Sequence, residues 1–301
     1  MATQDRVVYL NGDFIPESQA AIPIRDRGFI YGDAAFDVAR TFKGRPFRLR
    51  EHLDRLYASC RYLRLDPGMS QATMEELTLE VLRQNVPLLG EDEDYWVTQR
   101  VTRGVESPEG DRPTVLIECK LLPLAQRARY YRTGVPLVTP SVPRTPPQFL
   151  SPRAKTHNYL NMVMGDMEAR DRDPDAWALL LDARGNLAEG KGCNIFIVKD
   201  GAIHTPGVQF VLPGITRDIV LDMATSTGVE AQERDIDLYD AYTAQEAFLT
   251  STSLCICPVS SINGVAIGDG SVPGPVTSQL ISAFSDLVGM DYVAQYLAHE
   301  A

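Results

Sequence analysis

Lysine is scarce in this chain of 301 residues. Only Lys43, Lys120, Lys155, Lys191 and Lys199 stand among 29 basic residues, against 40 acidic ones, for a formal net charge of −11. That balance leaves no broad basic face to neutralise phosphates, so nucleic acid is excluded as a partner, although a local basic pocket for a small anion stays open. Histidine is scarcer still. His52, His157, His204 and His299 show no metal-ligand spacing and no H-E-x-x-H pair, which removes zinc hydrolysis and leaves no metal expected. The five cysteines contain no C-x-x-C, the pattern of reduced thiols in a cytoplasmic protein. Cys255 and Cys257, two apart, read as small buried hydrophobes on one side of a strand. The sequence also lacks a G-x-S-x-G elbow and a G-x-G-x-x-G after a strand, excluding the α/β-hydrolase triad and a dinucleotide-binding fold. No apolar run reaches the length of a membrane span, and the N-terminal residues have no apolar signal core.

What is present is ordinary globular composition, 44% hydrophobic and 23% charged, in a chain long enough for one large or two medium domains. Asn11-Gly12 and Lys43-Gly44 sit between short apolar runs and predict hairpins, because the turns that suit twisted strands need positive φ. Leu53, Leu56, Tyr57, Cys60 and Leu63 recur at helical spacing, and a second helix is expected over 70–85 with Ser70 or Thr73 as N-cap. Strands are expected over 95–104 and 114–122. Residues 1–122 thus form a small N-terminal domain, 123–133 a linker, and 134–301 a larger C-terminal domain. In the latter, strands are expected over 176–182, 194–205, 246–252 and 260–268, and helices end at Gly228 and Gly289. The fold class is α+β in two domains, with the site expected at their interface.

Three stretches could carry chemistry. In Val211–Ala224 a strand-like run meets Pro213-Gly214 and a helix opens at about Thr216, whose hydroxyl could cap it. Exposed first-turn N–H groups there would make an anion cup. Thr250 to Ser253 offers four consecutive hydroxyls. Gly185–Gly192 nearly matches the phosphate-loop pattern, but Gly192 stands where a metal-binding hydroxyl is required and no helix pattern follows Lys191. A nucleotide triphosphatase is therefore rejected, and Glu189 remains as a glycine-flanked carboxylate. Each feature taken alone reads as a capped helix, a solvated turn or a strand-end charge.

Their order along the chain is more specific. The blocks YLNGDFIP, YGDAAFDVARTFKGRPFRLREHLDRL, KTHNYLN, LAEGKGCNIFIVKDG, LPGITRD and FLTSTSLCICPV together resemble the class IV, or fold-type IV, pyridoxal-phosphate-dependent aminotransferases over nearly the whole chain. The resemblance implies a small α/β N-terminal domain and a larger C-terminal domain with a mixed, β barrel-like core. It implies pyridoxal 5′-phosphate as cofactor, with Lys155 forming the Schiff base and moving the substrate Cα proton. Glu189 would pair with the pyridine nitrogen and Tyr159 with the phenolic oxygen. Arg55 would bind the phosphate, helped by Ile215, Thr216 and Thr252. Lys191, the rival lysine, falls at a non-catalytic position of the pattern. Partners would be a small-molecule amino donor and a 2-oxo acid such as pyruvate or 2-oxoglutarate. A homodimer whose partner chain lends a loop to the site is also implied.

The resemblance splits over substrate. Phe36-Asp37-Val38 is similar to D-amino-acid aminotransferases and (R)-selective amine transaminases, where branched-chain enzymes carry a glycine two residues after the aromatic. Transfer from a D-amino acid or (R)-primary amine is therefore expected. The alternatives are a branched-chain L-amino-acid aminotransferase, an aminodeoxychorismate-lyase-like enzyme and a non-enzymatic binder of a phosphorylated metabolite. Pocket residues expected on this pattern are Tyr31, Phe36, Val38, Trp96, Thr98, Arg112 and Ser253. Arg112 lies among Glu106, Glu109 and Asp111, which argues against a dedicated dicarboxylate pocket. Arg40 and Arg100 are the other candidates for a substrate carboxylate.

Overall fold

A computed structural model describes residues 5–108, 110 and 112–300. The chain forms two compact units, Met1–Leu122 with Ala154–Asn158, and Pro123–Arg153 with Tyr159–Ala301. The stretch around Lys155, expected in the C-terminal domain, packs with the first unit instead.

In the first unit, β1 (Val7–Leu10), β2 (Asp13–Pro16), α1 (Arg27–Tyr31), β3 (Ala34–Phe42), β4 (Arg45–Pro46), α2 (Leu49–Tyr62), α3 (Gln71–Asn85), β5 (Tyr95–Val105) and β6 (Arg112–Leu121) follow one another. The six strands make one sheet in the order β2-β1-β6-β5-β3-β4. Both predicted hairpin turns are present, with Asn11 at φ 51° and Lys43 at φ 52°. Ser70 caps α3 by accepting from the Thr73 N–H at 3.1 Å. Alternation along β3 divides its side chains between two faces. Ala35 and Ala39 pack with Leu53 and Leu56 of α2 and with Val97 and Ile117 of the neighbouring strands, while Phe36 and Val38 are only half-buried on the opposite face. At the bulge between Thr102 and Val105, Gly104 has φ 73° and an added Cβ would lie 1.6 Å from the Arg112 carbonyl oxygen. Only glycine fits there.

The returning segment 154–158 lies along the first part of β3. Ala35 bridges Thr156, the Phe36 N–H donates to the Lys155 carbonyl and the His157 N–H to that of Ala34, both at 3.0 Å.

The second unit runs α4 (Leu124–Arg127), α5 (Tyr130–Thr133), β7 (Val135–Val138), α6 (Leu160–Arg172), β8 (Trp177–Ala178), β9 (Glu189–Gly190), β10 (Cys193–Lys199), β11 (Ala202–Thr205), α7 (Ile215–Thr227), β12 (Ala231–Glu233), α8 (Leu238–Tyr242), β13 (Glu246–Ser251), β14 (Cys255–Ile262), β15 (Val265–Ala266), α9 (Pro275–Val288) and α10 (Tyr292–Ala298). Its sheet is mixed, in the order β12-β11-β10-β13-β14-β7-β8, with β9 on β10 and β15 on β14. Phe196 stacks on Phe248 across β10 and β13 at 4.9 Å, and α7 and α9 pack on each other and on β13. Gly228 and Gly289 end α7 and α9 in the left-handed conformation, as predicted. Residues 123–133, the expected linker, form α4 and α5, and the buried Tyr131 hydroxyl donates to the Leu254 carbonyl. The expected strand over 176–182 pairs regularly only at Trp177–Ala178.

Candidate active site

In the first unit, a polar cluster is built on β3, α2 and the segment around Lys155. The Lys155 N–H donates to Ser59 Oγ at 3.0 Å, and its Nζ lies 4.8 Å from the centre of the Phe36 ring. The other lysines have different surroundings. Lys191 pairs with Asp166 at 2.8 Å and Lys199 with Asp240 at 2.7 Å, while Lys43 and Lys120 are exposed. The Phe36 ring also meets His157 edge-on at 5.3 Å and carries the Arg100 guanidinium at 5.3 Å. Burial, aided by the charge of Arg100, pushes the His157 pKa down to about 4.

On the other face of β3, Asp37 is fully buried. Its carboxylate accepts from Arg55 Nε and Nη2, both at 2.8 Å, and lies 2.7 Å from His52 Nδ1. Burial alone would raise the Asp37 pKa, but the Arg55 guanidinium and His52 reverse this and hold it well below the usual carboxylate range. Burial lowers the pKa of His52, opposed by Asp37. Arg55, largely buried and clamped by two parallel bonds, has the fixed fork suited to a phosphate or carboxylate.

Strand register explains how the expected pocket residues gather. Phe36 lies opposite Arg100, Val38 opposite Thr98 and Arg40 opposite Trp96, so these six residues share one face of the sheet. Arg40 is buried, 3.8 Å from Asp94 and 4.0 Å over the Phe42 ring, and Arg100 pairs with Glu118 at 3.0 Å. Both are structural ion pairs. Arg112 is exposed at the start of β6, and Tyr31 is exposed on α1. Glu109 and Asp111 lie outside the described residues.

In the second unit, a cluster gathers around Glu189, which is 3% exposed. Arg144 Nε donates to one carboxylate oxygen at 2.8 Å and the Leu212 N–H to the other at 2.9 Å. Register places Glu189 opposite Asn194, and Asn194 opposite Thr250. The buried Thr250 hydroxyl has no hydrogen-bond partner among the described residues. Asn194 Nδ2 donates to the Leu212 carbonyl at 3.0 Å, and its Oδ1 would lie 2.2 Å from a Cβ at position 214. Gly214 is therefore required by close packing. The helix α7 begins at Ile215 with Gly214 as its N-cap and no side-chain cap. Thr216 does not cap, contrary to expectation; it lies buried in the first turn. The first N–H groups of α7 thus have no side-chain acceptor. Thr252 lies half-buried in the turn after β13.

Tyr159, just ahead of α6, packs against the core cluster that contains Val138, Met162 and Ala178. Together with Arg127, Trp177, Lys191, Ser251 and Ser253 it lines a cavity of about 240 Å³. Sequence reading missed Arg127, Arg144 and Asn194. Arg127 sits in the stretch taken as a linker and Arg144 in a proline-rich approach, and neither carries a local signal of its own.

The matching family model is that of amino-transferase class IV, over residues 34–262. A putative branched-chain-amino-acid aminotransferase of Methanocaldococcus jannaschii is 38% identical over 286 residues, covering 93% of this chain and 96% of that relative. A D-alanine aminotransferase of Listeria monocytogenes is 30% identical, covering 92% and 94%. The solved T.th. branched-chain amino acid aminotransferase with pyridoxamine 5′-phosphate superimposes with a TM-score of 0.85 at 31% identity, covering 95% of this chain and 94% of that one. The chain belongs to the class IV aminotransferases and has their fold. The class uses pyridoxal 5′-phosphate. The residues present fit that group: the start of α7 at Gly214, with no side-chain cap, the unpartnered Thr250 hydroxyl and the buried Glu189 carboxylate. Among the described residues no helix is long and apolar enough to cross a membrane.

Proposed function

We propose that this aminotransferase moves the amino group of a branched-chain L-amino acid to 2-oxoglutarate. The observation that carries the reading is the 38% identity, over nearly the full length of both chains, to a relative named as a branched-chain enzyme. The solved neighbours carry the same name. The half-buried face formed by Phe36, Val38 and Trp96 suits an aliphatic side chain.

Pyridoxal phosphate, when bound, supplies an electron sink for the charge left on the substrate Cα. Lys155 would hold the cofactor covalently and then carry the proton removed from the substrate Cα on its Nζ. Glu189, oriented by Arg144 and the Leu212 N–H, would pair with the pyridine nitrogen, and Tyr159 would donate to the phenolic oxygen. Arg55, the N–H groups of Ile215 and Thr216 and the hydroxyl of Thr252 would bind the phosphate.

A second reading, transfer from a D-amino acid or (R)-amine, is favoured by Val38 at the glycine position of the branched-chain pattern and by the D-alanine aminotransferase among the relatives. Parallel assays of L-leucine, D-alanine and (R)-1-phenylethylamine, each with pyruvate and 2-oxoglutarate, separate the two. Turnover of L-leucine with 2-oxoglutarate is expected to dominate, and turnover confined to D-alanine or the amine would overturn the assignment.

The enzyme works as a homodimer in this reading, with a loop of each chain completing the other's site. Ile24, Phe29, Ile30 and Tyr31 are exposed on the first unit, and Phe149, Leu160, Met164 and Met167 on the second, apolar side chains that a partner chain would cover. Sedimentation equilibrium should give twice the 33.3 kDa chain mass. Five buried cysteines, none of them in a disulfide, support a cytoplasmic setting.

A further inference from the structure

The α2 helix carries two stripes. Leu49, Leu53, Leu56 and Cys60 form the apolar one and enter the core of the first unit. His52, Arg55 and Ser59 recur at i, i+3 and i+7, which gathers them on a second, polar face. Ser59 is 1% exposed, a costly place for a hydroxyl unless its hydrogen-bonding capacity is used. It is used twice. Ser59 Oγ donates to the carbonyl of Arg55, four residues back, at 2.9 Å. It also accepts from the Lys155 N–H, 96 residues away in sequence, at 3.0 Å. The first bond is the ordinary back-bond of a helical serine, whereas the second ties the helix to the returning segment within the first unit.

These two bonds complete a ring. The Lys155 carbonyl accepts from the Phe36 N–H at 3.0 Å. Phe36 adjoins Asp37 on β3, and Asp37 accepts two bonds from the Arg55 guanidinium at 2.8 Å. From Arg55 the path returns through its own carbonyl to Ser59 and so to Lys155. Phe36 and Asp37 fix the ring to β3, and Ser59 closes it on the side of α2. His52 lies against the same ring, 2.7 Å from Asp37. Burial lowers its pKa and Asp37 opposes this, while the charges of Arg55 and Lys155 both add to the lowering. The two cations therefore act on one imidazole. A closed ring of hydrogen bonds leaves the residues that bear them little freedom to shift against each other.

We propose that Ser59 is a positioning residue that sets the spacing between the Lys155 amine and the Arg55 guanidinium, so that one rigid molecule can engage both. The proposal rests on the reading in which Lys155 takes the aldehyde end of pyridoxal phosphate and Arg55 its phosphate. In this role Ser59 acts through the backbones of both residues. Its effect is felt by a ligand that must reach both groups at once, because a rigid molecule spans a fixed distance and cannot follow a displaced partner.

Ser59→Ala takes the acceptor from the Lys155 N–H and the donor from the Arg55 carbonyl. The full chain, freed of cofactor, is titrated in parallel with pyridoxal 5′-phosphate and pyridoxamine 5′-phosphate, followed by absorption and fluorescence. The first ligand engages the lysine and the phosphate site together. The second has an amine in place of the aldehyde, makes no covalent bond to lysine, and so reads the phosphate end. Ser59→Ala should raise the Kd of pyridoxal phosphate by about 10-fold or more, the scale of a buried N–H left unpaired, and that of pyridoxamine phosphate by less than about 2-fold. Ser59→Thr, which keeps the hydroxyl, should restore the parent values. Equal weakening of both ligands, as a merely structural loss would give, overturns the proposal, and so does no weakening of either. If Ser59→Ala does not fold, Ser59→Cys takes its place, since a thiol is a weak donor and acceptor; the same selective loss is expected and the same two outcomes overturn it. Failure of the aminotransferase reading would appear in the parent protein, as absence of the absorption band of lysine-bound cofactor, and would overturn both.

Discussion

Replacing Asp37 with asparagine removes one negative charge and almost no volume, so packing on β3 is preserved while the electrostatics change. Asp37 is fully buried, and the Arg55 and His52 side chains beside it are 9% and 3% exposed. The carboxylate accepts two bonds from Arg55 at 2.8 Å and one from the Val38 N–H at 2.8 Å. Asparagine keeps a single acceptor oxygen, so one Arg55 bond is lost and the guanidinium stays buried without its counter-charge. Breaking a buried pair from one side costs about 3–5 kcal/mol. Because an amide still accepts one bond, the lower end, about 3 kcal/mol, is expected. For a unit of this size that is a fall in melting temperature of about 10 °C. Trp96 lies on β5 in the same unit as Asp37, so in a Trp177→Phe background its fluorescence follows that unit alone. A loss below about 2 °C would refute the claim that the Asp37–Arg55 pair stabilises the first unit. The sign with pH is also fixed. The folded-state pKa of Asp37 lies below its ordinary 3.8, so its contribution is present above that value and lost as the pH falls below it.

Two further tests concern other residues. Gly214→Ala places a methyl group 2.2 Å from Asn194 Oδ1 at an ordinary backbone conformation, φ −74°. The cost is therefore steric, about 1–3 kcal/mol, and cofactor affinity measured by absorption titration should fall about 10-fold or more; unaltered affinity would remove Gly214 from the phosphate site. His157 has its pKa lowered from 6.5 to about 4, so the folded protein binds fewer protons there than the unfolded chain does. Stability is therefore complete above pH 6.5 and is lost as the pH falls towards 4, by at most about 3 kcal/mol. His157→Asn should flatten urea midpoints across that window, and an unchanged slope would show that the histidine plays no part.

Features with local causes were legible in the sequence. Asn11-Gly12 and Lys43-Gly44 demand positive φ, and Gly228 and Gly289 end helices whose apolar faces repeat regularly, so these elements lie where expected. The α6 helix was missed because its apolar residues do not form one stripe. Met162 and Ala169 are buried, whereas Leu160, Met164 and Met167 face outward. Arg127 and Arg144 were missed for another reason: each matters only through a partner more than 40 residues away, Ser253 or Glu189, and no spacing rule encodes that. The choice of substrate turned on Val38. Register places that residue beside Thr98 and near Trp96 and Arg100 on a shared face, so one side chain cannot define the pocket, and the full-length comparisons favour the branched-chain alternative.

The peptide that carries Lys155 is also a piece of β-structure. The β3 strand pairs with β5 along one side, but on the other β4 reaches only Thr41 and Phe42. The opposite end of that side, Ala34 to Phe36, is covered by residues 155–157. During synthesis, residues 1–122 leave the ribosome with this edge bare, a ready template for pairing with another chain. It is closed only when the polypeptide has grown past residue 157. The lysine cannot reach its place before the sheet that holds it exists, and the sheet is not sealed until the lysine arrives. A chain released early thus keeps an adhesive edge and lacks the segment, with Lys155, that closes it.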